Sequence, residues 1–214
     1  MNDYQRTHSV PKRVAAAGFV ASCYSLIPSF LFGFINKDHS YFQNYISELG
    51  QKGAANAAYV NWLGFFPVGL MVLLFLYMAR NCLPADRKSL CLFSALGWAY
   101  VISAFFPCDA GCPELGSLSQ MVHNLTAIVC YPAIIFGLVG FANSFRNDNA
   151  WKKISFFTMS CSLIAAIGFV LMLVPGLALY RGIMQRITET AIFGWIGVIS
   201  FNVWKLGKCK AASA

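Results

Sequence analysis

The sequence predicts an all-α integral membrane protein, a bundle of six transmembrane helices with both termini cytoplasmic and a long first outer loop holding an interfacial helix. Three observations lead there. The 214 residues are 58% hydrophobic and only 11% charged, whereas a soluble chain is about a quarter charged, so polar side chains are too few to cover a water-facing surface. Six apolar segments approach the length of about 20 residues that crosses a bilayer. The basic residues, finally, sort to one side of those segments.

The segments lie at 14–35, 60–79, 90–106, 118–142, 154–174 and 187–204. They make 14–205 a membrane domain between cytoplasmic tails at 1–13 and 206–214. Apolar residues run nearly all round each segment, as contact with lipid and other helices requires. The first reads as a span rather than a cleaved signal peptide, being too long and lacking a small-residue cleavage site. With both termini inside, the tails, Lys205 just after the last span and the connections at 80–88 and 143–153 carry twelve basic and three acidic residues. The other side carries four basic residues (Lys37, Lys52, Arg181, Arg186) and five acidic ones (Asp38, Glu48, Asp109, Glu114, Glu189). Excess Lys and Arg mark the cytoplasmic side. The net charge of +8 is thus an orientation signal, and nucleic acid, which a basic soluble chain would suggest, is not expected as a partner.

Inner connections of about ten residues predict that helices 2 and 3, and 4 and 5, are antiparallel neighbours. The outer side holds the longer polar stretches, 36–59, 107–117 and 175–186. In the first span Gly18, Ser22, Ser25, Ser29 and Gly33 recur mostly four apart, spacing that brings backbones close within one bundle. Pro28, Pro67 and Pro132 each free a backbone carbonyl that a neighbour must satisfy. Beyond Pro107 and Pro175 ending helices 3 and 5, no inverted repeat of the transporter kind is visible.

Tyr41, Tyr45, Ile46 and Leu49 recur at helical spacing, which predicts an amphipathic helix over 41–53 at the membrane interface. Five ionisable residues fall at the outer helix ends: Glu48, Asp109, His123, Arg186 and Glu189. Such groups are costly at membrane depth and therefore mark function, so they are expected to converge on one outward-facing pocket. Plainer readings stand beside this one. Arg186 and Glu189, one turn apart, pair with each other, and Asp109 caps a turn. His123, Thr126 and Cys130 share a helical face, where Cys130 reads as a small buried residue rather than a nucleophile. There is no nucleophile elbow, no paired-His metal motif, no C-x-x-C and no P-loop, so neither a metal nor a cofactor is expected. Cys82 and Cys209 fall at the reducing inner side, and Cys23, Cys91, Cys130 and Cys161 within spans. Cys108 and Cys112 face outward, where they either form a disulfide that stiffens the Asp109 loop or remain thiols.

The stretches YISELGQKGAANAAYVNWLGF, FFPCDAGCP, MVHNLTAI and GIMQRITE resemble the domain of unknown function 998, a family of bacterial and archaeal six-helix membrane proteins. The resemblance covers roughly 14–205, and its most specific elements are Ile46-Ser47-Glu48-Leu49-Gly50 and the Pro107/Asp109 loop followed by His123. More distantly, ISELG after helix 1 and a His opening helix 4 are similar to the Frag1/DRAM/Sfk1 group, associated with lipid remodelling and distribution. The resemblance implies a six-helix bundle with a motif-bearing outer face, in which Glu48, Asp109, His123, Arg186 and Glu189 match recurring polar positions. It implies no settled reaction.

The expected function is binding of a membrane lipid or other apolar small molecule in an outward-facing, polar-lipped pocket of a bacterial inner-membrane protein. Glu48 and Asp109 are expected to accept hydrogen bonds or protons, His123 to donate, and Arg186, with Glu189 beside it, to contact an anionic head group. One alternative is a membrane-embedded enzyme using His123 with Asp109 or Glu48 as an acid/base pair, which requires them within hydrogen-bond reach. Another is a small transporter, disfavoured because no charged residue is expected in mid-span.

Overall fold

The computed structural model describes the backbone of residues 3–35 and 39–209 and the side chains of residues 9–31 and 39–209. Lys37, Asp38 and Lys210, and the side chains of Asp3 and Arg6, lie outside the described residues. Among those described, all regular structure is helical. α1 spans Asp3–Ile35, α2 Ala57–Ala79, α3 Arg87–Phe105, α4 Leu118–Arg146, α5 Lys152–Met172 and α6 Arg181–Leu206. Each includes an apolar stretch long enough to cross a bilayer, so the chain is a multi-pass membrane protein. The helices pack in chain order and α6 returns against α1, closing a ring. The pairs α2–α3 and α4–α5 are neighbours, as their short connections predict.

The apolar runs and the helices have different ends. The last run begins at 187, whereas α6 begins at Arg181. Helix propagation is set by backbone hydrogen bonds and packing, not by apolarity. At 1.5 Å per residue, Glu189 therefore sits roughly 12 Å inside the helix.

The interfacial helix expected over 41–53 does not form. Only Ile46–Gly50 is helical, as a 3-10 turn. Its apolar residues Ile46 and Leu49 are buried against Val60 and Phe65 of α2 rather than facing lipid, so the periodicity reported a docking surface. Gly50 ends the turn where a Cβ would lie 2.2 Å from Asn61 Oδ1, and Asn61 Nδ2 donates to the Gly50 carbonyl at 2.8 Å. Only glycine allows that approach.

Small residues set the helix spacing, as the sequence predicts for α1. A Cβ on Gly18 would fall 1.9 Å from Ser200 Oγ of α6 and 2.6 Å from the Phe75 ring of α2. Between α2 and α3, a Cβ on Gly69 would lie 2.6 Å from the Gly97 carbonyl oxygen. Residues Val60–Phe65 of α2 form a π segment just before Pro67. The carbonyl that Pro67 deprives of its partner is that of Leu63, and the Tyr24 hydroxyl of α1 donates to it.

The core lies toward the end of the bundle that carries the termini. Trp195 stacks against Phe93 at 4.8 Å and Phe141 at 5.0 Å between ring centroids, all three fully buried. The indole N–H, which needs an acceptor once buried, donates to Thr158 Oγ1 at 3.0 Å. Large apolar side chains such as Phe156, 83% exposed, and Phe136, 64% exposed, point outward, as a lipid-facing surface requires. At the same end Cys82 and Cys209, placed by the sequence at a reducing inner side where thiols are expected, are instead bonded to each other with Cα atoms 4.0 Å apart. Gly207, at φ 60°, turns the chain out of α6 just before Cys209, a tertiary pairing that a sequence separation of 127 residues conceals.

Candidate functional site

At the opposite end the three long connections are tied into a cap, with Glu48 as one tie. Its carboxylate accepts the Tyr45 backbone N–H at 2.8 Å and Asn44 Nδ2 at 2.6 Å, closing the ISELG turn on itself. Arg181 Nη2 at the start of α6 lies 3.4 Å away and also donates to the Gly111 carbonyl at 3.1 Å. Asp109 is a second tie. It accepts from Lys52 Nζ at 2.8 Å, from Ser117 N at 2.7 Å and from Ser117 Oγ at 2.8 Å. The Lys52 hydrogen bond, followed by those from Ser117, pulls the Asp109 carboxyl down to about 2. Cys108 and Cys112 are bonded to each other, so the loop that presents Asp109 is closed covalently.

Arg186 is the third tie. Although only 2% exposed, it meets no carboxylate among the described residues. Its Nη1 donates to the carbonyls of Tyr41, Asn44 and Gly182 at 3.1, 2.9 and 3.0 Å, and its Nη2 donates to His39 Nε2 at 2.8 Å. His39 must then be neutral, and burial, followed by the nearby Arg186 charge, lowers its pKa to about 4. Gly182 lets the loop lie this close, since a Cβ there would meet the Asn44 carbonyl oxygen at 2.4 Å.

Beneath the cap are two adjoining cavities. The outer one, about 400 Å³, lies between the outer halves of α4 and α5 and the 175–181 turn. Its walls include Phe169 and Met172, with exposed Ile128 and Leu173 at the rim facing the surroundings. The inner one, about 70 Å³, is lined by α3, α4 and α6 together with Phe65 of α2 and Ile46 and Ser47 of the ISELG turn. Ser47, His123, Ala127, Tyr131 and Gln185 line both, so they form the passage between them. Leu96 and Ile134 floor the inner cavity. One turn or more beyond them, toward the termini, the Phe93–Phe141–Trp195 plug begins.

Gln185, Tyr131, Glu189 and Tyr100 form one hydrogen-bonded chain in the inner cavity. The Ile46 backbone N–H donates to Gln185 Oε1 at 2.6 Å. Gln185 Nε2 then approaches the Tyr131 hydroxyl at 3.4 Å, and that hydroxyl donates to Glu189 Oε1 at 2.6 Å. The Tyr100 hydroxyl donates to Glu189 Oε2 at 3.0 Å. Two phenols from α3 and α4 thus hold a carboxyl of α6 that is 6% exposed. No Lys or Arg among the described residues pairs with it. His123 Nδ1 lies 3.0 Å from the Phe106 carbonyl; a carbonyl only accepts, so Nδ1 carries the proton and Nε2 offers a lone pair.

Of the five ionisable residues singled out in the sequence, the structure brings His123 and Glu189 to the same cavity. Glu48, Asp109 and Arg186 line neither cavity and bind the cap together. The expected pairing of Arg186 with Glu189 is absent: one turn apart, they point into different surroundings. His123, Thr126 and Cys130 do line one wall of the inner cavity, as their spacing predicts. Tyr100, Tyr131 and Gln185 escaped the sequence reading. A signal existed for Gln185, four residues before Glu189 on the same face. Each buried tyrosine also carries a hydroxyl that needs a partner, though nothing in sequence names Glu189 as that partner.

No curated protein and no solved structure matches the chain. The family model for proteins of unknown function DUF998 matches residues 15–202, a stretch that covers all six apolar segments to within two residues and every residue of both cavities. The chain belongs to that family.

Proposed function

We propose that this protein binds an amphipathic small molecule, a membrane lipid or a lipid-like compound, entering the outer cavity from the bilayer between α4 and α5. The observation that carries this reading is the continuity of a large outer cavity with a small inner one that holds a buried carboxyl, through a shared set of five residues. A ligand site is commonly an apolar concavity with a few placed polar groups. Here Ile128, Phe169, Met172 and Leu173 offer the apolar wall, and His123 Nε2, Gln185 and Ser47 the polar contacts. The cap end faces outward and both termini are cytoplasmic, a reading supported by the twelve basic and three acidic residues on the termini side. In a bacterial cell this is the inner membrane.

An acid/base enzyme working through His123 with Asp109 or Glu48 has less support, because both carboxylates are engaged within the cap. A transporter has a buried acidic residue in Glu189, but the aromatic plug closes the cavity floor.

Ala127 lines both cavities, so Ala127→Trp fills the passage without altering a polar group. Mass spectrometry of compounds retained by gently extracted protein is expected to show a bound amphiphile in the wild type and its loss in A127W. Equal retention in both proteins would overturn the proposal.

A further inference from the structure

Glu189 is a buried carboxyl whose immediate contacts are two hydroxyls and no cation. An ionised carboxylate out of water is costly unless a cation compensates it. The arrangement around it selects among cations. Tyr100 and Tyr131 line the inner cavity and give their hydroxyls to the carboxyl. Phe65 packs edge-on against Tyr100 at 5.8 Å, and Phe169 stacks on Tyr131 at 5.2 Å between centroids. A carboxylate among aromatic rings attracts an organic ammonium group twice, through charge-assisted hydrogen bonds and through the negative faces of the rings. A bare metal ion would instead need several oxygen or nitrogen donors, and among the described residues no group of three or more His, Cys, Asp and Glu is placed to hold one.

We infer that the inner cavity is a head-group site for a protonated amine, and that the amphiphile bound by this protein is a cationic one, such as an alkylammonium compound or an amine-bearing lipid. This rests on the binding reading above and names its ligand class. The inner cavity, about 70 Å³, exceeds the roughly 10–15 Å³ that one water needs and takes a small head group. The hydrocarbon chain then lies in the outer cavity along Phe169 and Met172. Tyr100, at the far side of Glu189, also approaches Ser25 Oγ at 3.4 Å, so α1, α3, α4 and α6 all contribute to the position of the carboxylate.

Decylamine and decanol distinguish the two layers of this account, because they share a chain and differ in head group. Native mass spectrometry of the full-length protein, with both probes at equal concentration, reads the ratio of the two adducts. The wild type is expected to favour the amine by about tenfold, the ratio expected from one charge-assisted contact. In Glu189→Gln, which keeps the side-chain shape, the ratio is expected to fall to near one. A wild type that binds both probes without preference would overturn the inference while leaving the cavity reading intact, and this comparison needs no variant to fold. An E189Q ratio equal to that of the wild type would overturn it as well. Binding of neither probe would remove the cavity reading and this inference together.

Discussion

His39 and Asp109 set the acid response of the cap, in separate pH windows. His39 is held neutral by burial and by the Arg186 charge, with a pKa of about 4 against an ordinary 6.5. The unfolded chain then takes up the proton first, and stability falls as pH drops from 6.5 toward 4. Asp109 is depressed to about 2 from an ordinary 3.8. Its contribution is present above 3.8 and is lost as pH falls toward 2. Melting temperature measured against pH is expected to decline between 6.5 and 4 in the wild type and to flatten there in His39→Gln. An H39Q curve that follows the wild type would contradict the assignment. At the residue scale the sequence exposed the costly groups but not their duties. Glu48, Asp109 and Arg186 are ionisable and lie at the outer helix ends as Glu189 does, yet their partners lie in other loops, and only those partners separate a cap tie from a cavity group. Tyr100 and Tyr131 were hidden for the same reason, since each hydroxyl meets a carboxyl on another helix.

Glycines that look alike in sequence act oppositely in the helices. Gly18 sits where a Cβ would strike Ser200 and Phe75, whereas a Cβ on Gly194 meets nothing within 4 Å. Gly18→Ala is therefore expected to destabilise the bundle by about 1–3 kcal/mol through overpacking, and Gly194→Ala to stabilise it by about 0.5–1 kcal/mol through helix propensity. Thermal unfolding in detergent checks the pair, and equal effects would contradict the close α1–α6 contact. Trp195→Ala, at the centre of the plug, is expected to cost about 3–5 kcal/mol in the same assay. The six helices and their neighbour pairs were legible because lipid imposes length and apolarity on every span. The first outer loop was misread because apolar spacing on a short segment cannot distinguish a lipid surface from the end of the protein's own bundle. The closure of α6 onto α1 and the Cys82–Cys209 pairing depend on contacts that local pattern does not carry.

For the whole molecule, charge and architecture agree on one polarity. The end with the termini carries the aromatic plug and most of the basic residues, and the other end carries the cap and both cavities. A reporter active only in the cytoplasm, fused after Ala214, is expected to be active, and the same reporter inserted at Gly53 inactive; the reverse pattern would contradict the orientation. Paired cavities and a buried carboxyl are properties of the assembled bundle, which explains why the function classes stayed open in sequence while the fold class did not. The central claim, that an amphiphile occupies the paired cavities, is tested most directly by photolabelling. An alkylamine bearing a diazirine on its chain, irradiated with the protein in bilayers and mapped by peptide mass spectrometry, is predicted to label the segments around Ala127–Tyr131 and Phe169–Leu173, and to lose that label in A127W. Label spread evenly over lipid-facing Leu74, Phe136 and Phe156, unchanged in A127W, would contradict it.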